Sequence, residues 1–326
     1  MKSFILTSSW KFIFILVVSL CSIHGVQAQV PLKFEENDKW GLKNDQGTIL
    51  ASAKYEYIGE FVGGIALVTQ EFEEDYDDAT YTLYGFIDNT GREIITPQYQ
   101  DAENFSDGFA KIEVSNSETN FKTYCGFVDT NGRLIIKAKY DTALDFSEGM
   151  AAVGMGNLVD GYKMGYIDNT GNEVIELKYD FTYHFSEGLA YVGMGNDTDG
   201  FKYGFIDKTG TIRIPIIYDS ASDFNEGLSS IGFGNINATM KYGFINKAGA
   251  VIVKPIYDWC SLYQEGMWIV SLGNDKDGYK SGYIDKTGKI AIPVIYDEAG
   301  VFENNQAEVK LKGDTYMIDK SGNRIK

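Results

Sequence analysis

Residues 203–211 read YGFIDKTGT. The first eight letters recur as WGLKNDQG from Trp40, YGFIDNTG from Tyr84, CGFVDTNG from Cys125, MGYIDNTG from Met164, YGFINKAG from Tyr242 and SGYIDKTG from Ser281, and a degenerate YMIDKSG starts at Tyr316. The lead glycines Gly41, Gly85, Gly126, Gly165, Gly204, Gly243 and Gly282 lie 44, 41, 39, 39, 39 and 39 residues apart. A fixed period of this size is the mark of a repeat architecture, and it governs how any single motif is read.

Taken alone, DKTGT at Asp207 matches the phosphorylated-aspartate motif of P-type ion pumps. Its siblings argue otherwise. Asn44 and Asn246 fill the same slot in their copies, which suits a turn and would abolish an aspartyl-phosphate. A pump also needs several membrane-spanning helices, and no apolar run after Gln29 is long enough to supply one. The motif therefore reads as hairpin chemistry. Asp88, Asp129, Asp168, Asp207 and Asp285 bond to backbone two residues on, and Gly47, Gly91, Gly132, Gly171, Gly210, Gly249, Gly288 and Gly322 close the turns.

Further slots keep the register. Fourteen residues after each lead glycine stands Tyr55, Tyr99, Tyr140, Tyr179, Tyr218, Tyr257 or Tyr296. Twenty after stands Phe61, Phe105, Phe146, Phe185, Phe224, Tyr263 or Phe302. Aromatics that recur once per unit belong to a core. Apolar residues on both faces of the middle strand, as with Phe205 and Ile206, imply that neighbouring units cover both faces. Pro97, Pro215, Pro255 and Pro293 fit the end of a strand or a sheet edge. The distance from the lead glycine to a second glycine slot (Gly64, Gly108, Gly149, Gly188, Gly227, Gly266) is constant at 23, so the length variation falls in the loop that follows. The longest of these loops is Gln70 to Thr82. Variable loops gathered on one edge of a repeat array commonly form its binding face.

The chain has 326 residues, 46 Asp and Glu against 29 Lys and Arg, and 42 Phe and Tyr. Lys2, an apolar run from Phe12 to Leu20, and Val26-Gln27-Ala28 read as a secretory signal peptide over residues 1–28, cut after Ala28. Leu20 is too large for a lipoprotein motif at Cys21. Removing two lysines leaves 27 cations against 46 anions, a formal charge of −19 over residues 29–326. Such a surface disfavours nucleic acid and direct membrane insertion. The expected location is periplasmic, outer-envelope or secreted.

The pattern [WY]-G-[FY]-I-D-x-x-G followed by YDxAxDFxEGLA resembles the WG-repeat (KWG) family of bacterial proteins from about Leu32 to Lys326, although the WG dipeptide itself survives only at Trp40-Gly41. The resemblance implies a β-rich tandem array, often exported, that mediates interactions; it implies no catalytic residues. The expected fold is all-β: one domain over residues 29–326 of about eight three-stranded antiparallel units, stacked as an open, curved β-solenoid-like array. A closed β-propeller is the alternative.

Several residues were weighed as chemistry. His184, the one histidine after residue 28, falls in a slot held elsewhere by Asn104, Asp145 and Asp223, and reads as a polar loop residue. Cys260 occupies an alanine slot and Cys125 a tyrosine slot in a distant copy, so a disulfide is not expected. GNDTDG (195–200) and GNDKDG (273–278) resemble calcium loops but start on glycine and lack the distal glutamate, so they read as turns. The binding candidates are the acidic residues Glu71, Glu73, Glu74, Asp75, Asp77 and Asp78 of the longest loop, and Trp259 and Trp268, which break the repeat pattern in one copy. The expected function is a non-enzymatic binding or scaffold protein with a protein partner in the cell envelope and no cofactor or metal. A module for cell-wall polysaccharide is the alternative, and a hydrolase the remote one.

Overall fold

The computed structural model describes residues 30–73, 80–116, 122–157, 161–196, 200–234, 240–274 and 276–325. The expected leader, residues 1–28, lies outside them. Every regular element among the described residues is a β-strand. The strands form eight antiparallel sheets in chain order, spanning Leu32–Tyr55, Tyr57–Tyr99, Asp101–Tyr140, Thr142–Tyr179, Phe181–Tyr218, Ser220–Tyr257, Trp259–Tyr296 and Glu298–Asp319. We number them sheets 1 to 8. Sheets 1 and 8 have three strands and the others four.

Sheet 5 illustrates the unit. Its strands Phe181–Thr182, Leu189–Asn196, Gly200–Asp207 and Ile212–Tyr218 lie side by side in that order. The three long strands are those legible as apolar runs. The two-residue opening strand comes from the YDxA stretch, which supplies no more than Phe181↔Gly193 and Thr182↔Val192. Sheets are offset from sequence copies: Leu189–Asn196 closes one copy but pairs with the glycine strand of the next, from Leu189↔Asp207 to Asn196↔Gly200.

The glycine strand explains its own glycine. Tyr203 pairs with Tyr218 and Phe205 with Ile214, so residues 215–217 bulge out opposite Gly204. A Cβ on Gly204 would lie 2.6 Å from the Ile214 carbonyl oxygen and 2.7 Å from the Ile216 backbone. The edge strand thus lies on the glycine, and Pro215 sits in the bulge of an edge strand where its missing N–H leaves no ladder bond unmade. The bulge also turns the corner. Tyr218 still pairs within sheet 5, and Ser220 already pairs with Gly232 of sheet 6, leaving Asp219 as the only residue between. Strands that switch sheets at a bend are how packed sheets meet at a corner.

Packing alternates with the pleat. Phe205 is buried against Phe224, Ile231 and Ile245 of sheet 6, whereas its neighbour Ile206 is buried against Tyr166 and Ile175 of sheet 4. Each of the seven core clusters is filled by one pair of consecutive sheets. Eight sheets with seven cores form an open array. The two end faces agree with this. On sheet 1, Lys43 stands in the slot that elsewhere carries the backward-facing Ile or Val, and Phe34 packs over Gly41 beside it. On sheet 8, Met317 occupies the forward-facing Phe slot and is 37% exposed.

Neighbouring sheets are also stitched along the corner. Glu187, held at φ 53°, accepts from the backbone N–H of Gly227 in sheet 6 at 3.0 Å and faces Lys247 at 3.8 Å. Ser186 donates to the Phe224 carbonyl at 2.7 Å. Glu148 with Gly188 and Lys208, and Glu265 with Asn305 and Lys320, repeat the arrangement. The aspartate turns are as expected. Asp207 accepts from the Thr209 hydroxyl and backbone and from the Thr211 backbone, while Arg213 donates to its other oxygen at 2.7 Å. Those donors, Thr209 foremost, hold its carboxyl at about 2.

Candidate functional site

The variable loops fall where the repeat arithmetic places them. Each joins the second long strand of a sheet to its glycine strand, so all are tips of the same hairpin on one edge of the array. The longest hairpin has the longest ladder, nine pairs from Ile65↔Asp88 to Glu73↔Thr80. Of its acidic residues, Glu71 and Glu73 lie in the described stem on one face of the strand, and Glu74, Asp75, Asp77 and Asp78 lie outside the described residues. Glu71 is 3.9 Å from Lys39 of sheet 1. Phe72 stacks on Tyr81 across the opposite face at 5.8 Å, bracing the stem.

The two tryptophans part company. Trp259 is 47% exposed, at the slot that carries Tyr57 in sheet 2 and Phe181 in sheet 5, both exposed as well. Trp268 is a correction to the sequence reading: it is 1% exposed and offers no surface to a ligand. Its indole lies 5.0 Å from the Phe244 ring and 5.6 Å from Tyr263. That is the place the Phe of other copies takes, as Phe224 does 4.9 Å from Phe205. The larger indole displaces Tyr263, and the opening strand of sheet 7 lengthens to Trp259–Gln264 with Tyr263 opposite Trp268.

The cysteines are separate and buried or half-buried, and burial pushes their thiols up to about 12 for Cys125 and about 11 for Cys260. In GNDKDG, the Asn274 side chain accepts from the backbone N–H of Lys276 and Asp277, as a turn requires. A shallow depression of about 470 Å³ between sheets 5 and 6 is lined by Glu187, Asp207, Arg213 and Lys247, whose charges are paired with one another.

One group of residues was not assembled by sequence reading. Asp145, His184 and Asp223 share the slot nineteen after the lead glycine in consecutive sheets 4, 5 and 6, so the stack sets them in a row. Asp145 and Asp223 each have a buried carboxylate oxygen without a hydrogen-bond partner. Burial pushes the Asp223 carboxyl up to about 6, with nearby His184 pulling the other way. Asp145 is raised too, by burial first and then by Glu103, against Lys111 and His184. Beside the row, Tyr183 stacks on Tyr191 at 5.0 Å and meets the His184 ring edge-on at 5.0 Å. The same pair of positions holds the ion pair Glu103–Lys111 in sheet 3 and hydrogen-bonded Ser222 and Ser230 in sheet 6. The signal was present in the sequence, as three polar residues in one slot of consecutive copies and an aromatic pair where other copies have none.

Comparison with known proteins bears on the fold. The family described as WG containing repeat matches residues 40–71, 84–116, 126–158, 164–196, 203–235, 242–275 and 282–316. No curated protein matches the chain. Among solved structures, a eukaryotic initiation factor superposes with a TM-score of 0.55 at 10% identity, over 91% of this chain and 84% of that one. An uncharacterised protein of Listeria monocytogenes reaches 0.43 at 11% identity, over 83% and 94% of the two chains. The β-propeller domain of a Pyrococcus furiosus protease also reaches 0.43 at 11%, over 85% and 96%. At such identities the likeness concerns shape alone.

Proposed function

The chain belongs to the family of WG containing repeats, and from that premise we propose that it is an exported, non-enzymatic binding or scaffold protein that presents its repeat surface to a protein partner in the cell envelope. One observation carries the proposal. The frame is held constant from sheet to sheet, while the hairpin tips on one edge differ in length and the outward slots beside them differ in chemistry. A fixed frame with variable display is how repeat arrays recognise partners. The acidic hairpin built on Glu71 and Glu73, with Glu74, Asp75, Asp77 and Asp78, suits a basic partner surface.

The test is affinity capture from solubilised envelope proteins with residues 29–326 as bait. A specific partner should be retained, released by salt, and lost when Gln70 to Thr82 is shortened to the length of its neighbours. Retention that ignores both salt and the shortened loop would refute this use of the hairpin. A second reading, binding to cell-wall polysaccharide, draws on the exposed aromatics Tyr57, Phe181 and Trp259 at one slot. It predicts co-sedimentation with insoluble polysaccharide that is lost in the triple alanine variant.

A further inference from the structure

Asp223 poses a physical problem. A carboxylate oxygen shut off from water and left without a donor is costly, and among the described residues no Lys or Arg forms an ion pair with Asp223 or with Asp145. Lys111, the nearest cation to Asp145, is engaged by Glu103 at 3.2 Å. Both orphan oxygens flank His184, whose ring is turned edge-on to Tyr183. Next to them is the densest group of accessible rings on the molecule. Tyr183 is 39% exposed and lies on Tyr191; Phe181, 47% exposed, packs edge-on against Phe201 at 5.6 Å and Tyr203 at 6.3 Å. Tyr191 is close enough to Asp223 for that carboxylate to hold its hydroxyl in the protonated form, after burial itself.

Orphan acceptors beside open aromatic faces call for a ligand that donates hydrogen bonds and is attracted by π-electrons. A guanidinium or ammonium group does both. A sugar would stack on the rings, but it brings no charge to offset the carboxylates. A metal ion is disfavoured, because no group of three ligating side chains occurs among the described residues. The net formal charge of −17 over the whole chain adds a long-range pull in the same direction.

We propose that the Asp145–His184–Asp223 row and the Tyr183–Tyr191 stack form a binding site for an organic cation, a guanidinium in preference to an ammonium. The planar guanidinium lies on the exposed face of Tyr183 and donates to the free oxygen of Asp223. This goes beyond the binding-protein reading and does not depend on it, since a free arginine derivative is enough to occupy the site.

The test titrates the protein with N-acetyl-arginine methylamide, with its neutral isostere N-acetyl-citrulline methylamide, and with an N-acetylglucosamine oligomer, following the His184 and tyrosine ring resonances. The arginine compound should shift those resonances saturably, and the citrulline compound should bind at least about tenfold more weakly. D223N should weaken arginine binding by a similar factor, Y183A by a few-fold, and W259A not at all. D223N removes a buried charge and is expected to fold; D145N provides a second, smaller loss if it does not. Equal binding of arginine and citrulline, binding indifferent to D223N and D145N, a preference for the sugar, or no saturable shift in low salt would each overturn the proposal.

Discussion

Replacing Gly204 by Ala places a methyl group 2.6 Å from the Ile214 carbonyl oxygen and 2.7 Å from the backbone N and Cα of Ile216. All three obstacles are backbone, so no side chain can rotate away. The bulge over residues 215–217 must lift, and with it the corner that carries the chain into sheet 6. Overpacking of this kind costs about 3 kcal/mol. Loss of glycine's extra freedom in the unfolded chain returns about 0.5–1 kcal/mol, which leaves a net loss of about 2 kcal/mol. The control is Gly188→Ala. Gly188 has φ 84° and nothing within 4 Å of its would-be Cβ, so its methyl meets only the left-handed backbone strain of about 1–2 kcal/mol, less the same entropic return. Urea unfolding followed by near-ultraviolet circular dichroism compares the two. Because stability in a repeat array sums over units and their interfaces, the comparison uses variants in adjoining sheets. If G204A unfolds at a urea concentration equal to or above that of G188A, close approach of the edge strand is not why the lead position is glycine.

Two further outcomes follow from the same coordinates. Trp268→Ala empties the core between sheets 6 and 7 and should lower stability by about 3–5 kcal/mol, whereas Trp259→Ala should change it by no more than about 0.5 kcal/mol; urea midpoints of both variants check this, and similar losses would contradict the burial assigned to Trp268. Asp223 has a folded pKa of about 6, above the ordinary value of about 3.9. It therefore contributes stability that is fully present below about pH 4 and is lost as pH rises through about 6. The full shift corresponds to about 3 kcal/mol, and partial access to water reduces the expected effect to about 1–2 kcal/mol. Wild type minus D223N, measured in urea at pH 5 and pH 7.5, should thus be more favourable at pH 5, and an unchanged difference would show that burial does not shift this carboxyl.

Much of the fold was legible because its determinants are local and periodic. The aspartate turns, the Tyr and Phe slots of the core and the apolar pair Phe205-Ile206 follow from residue type and register. So does the collection of variable loops on one edge, since equal slots in a regular stack lie at equal places. What was not legible is non-local. Gly204 is glycine because of backbone ten to twelve residues downstream, and spacing alone cannot reveal that approach. Trp268 looked exceptional because its slot holds Ala151 or Ser229 elsewhere; only the displacement of Tyr263 makes room for it. The Asp145–His184–Asp223 row is intermediate. Residue by residue these are tolerant loop positions, and their meaning appears once consecutive copies are known to be spatial neighbours.

Whether the array is open is tested most directly at its two end faces. Lys43→Cys on sheet 1 and Met317→Cys on sheet 8 place one thiol on each, and the native Cys125 and Cys260 give a slow background because burial raises both thiols. Seven cores for eight sheets predict that both introduced cysteines react with a maleimide at rates near those of a free thiol, and that the double variant forms no disulfide within one molecule. Slow labelling of both, together with an intramolecular disulfide, would mean that sheets 1 and 8 share an eighth core and that the ring is closed.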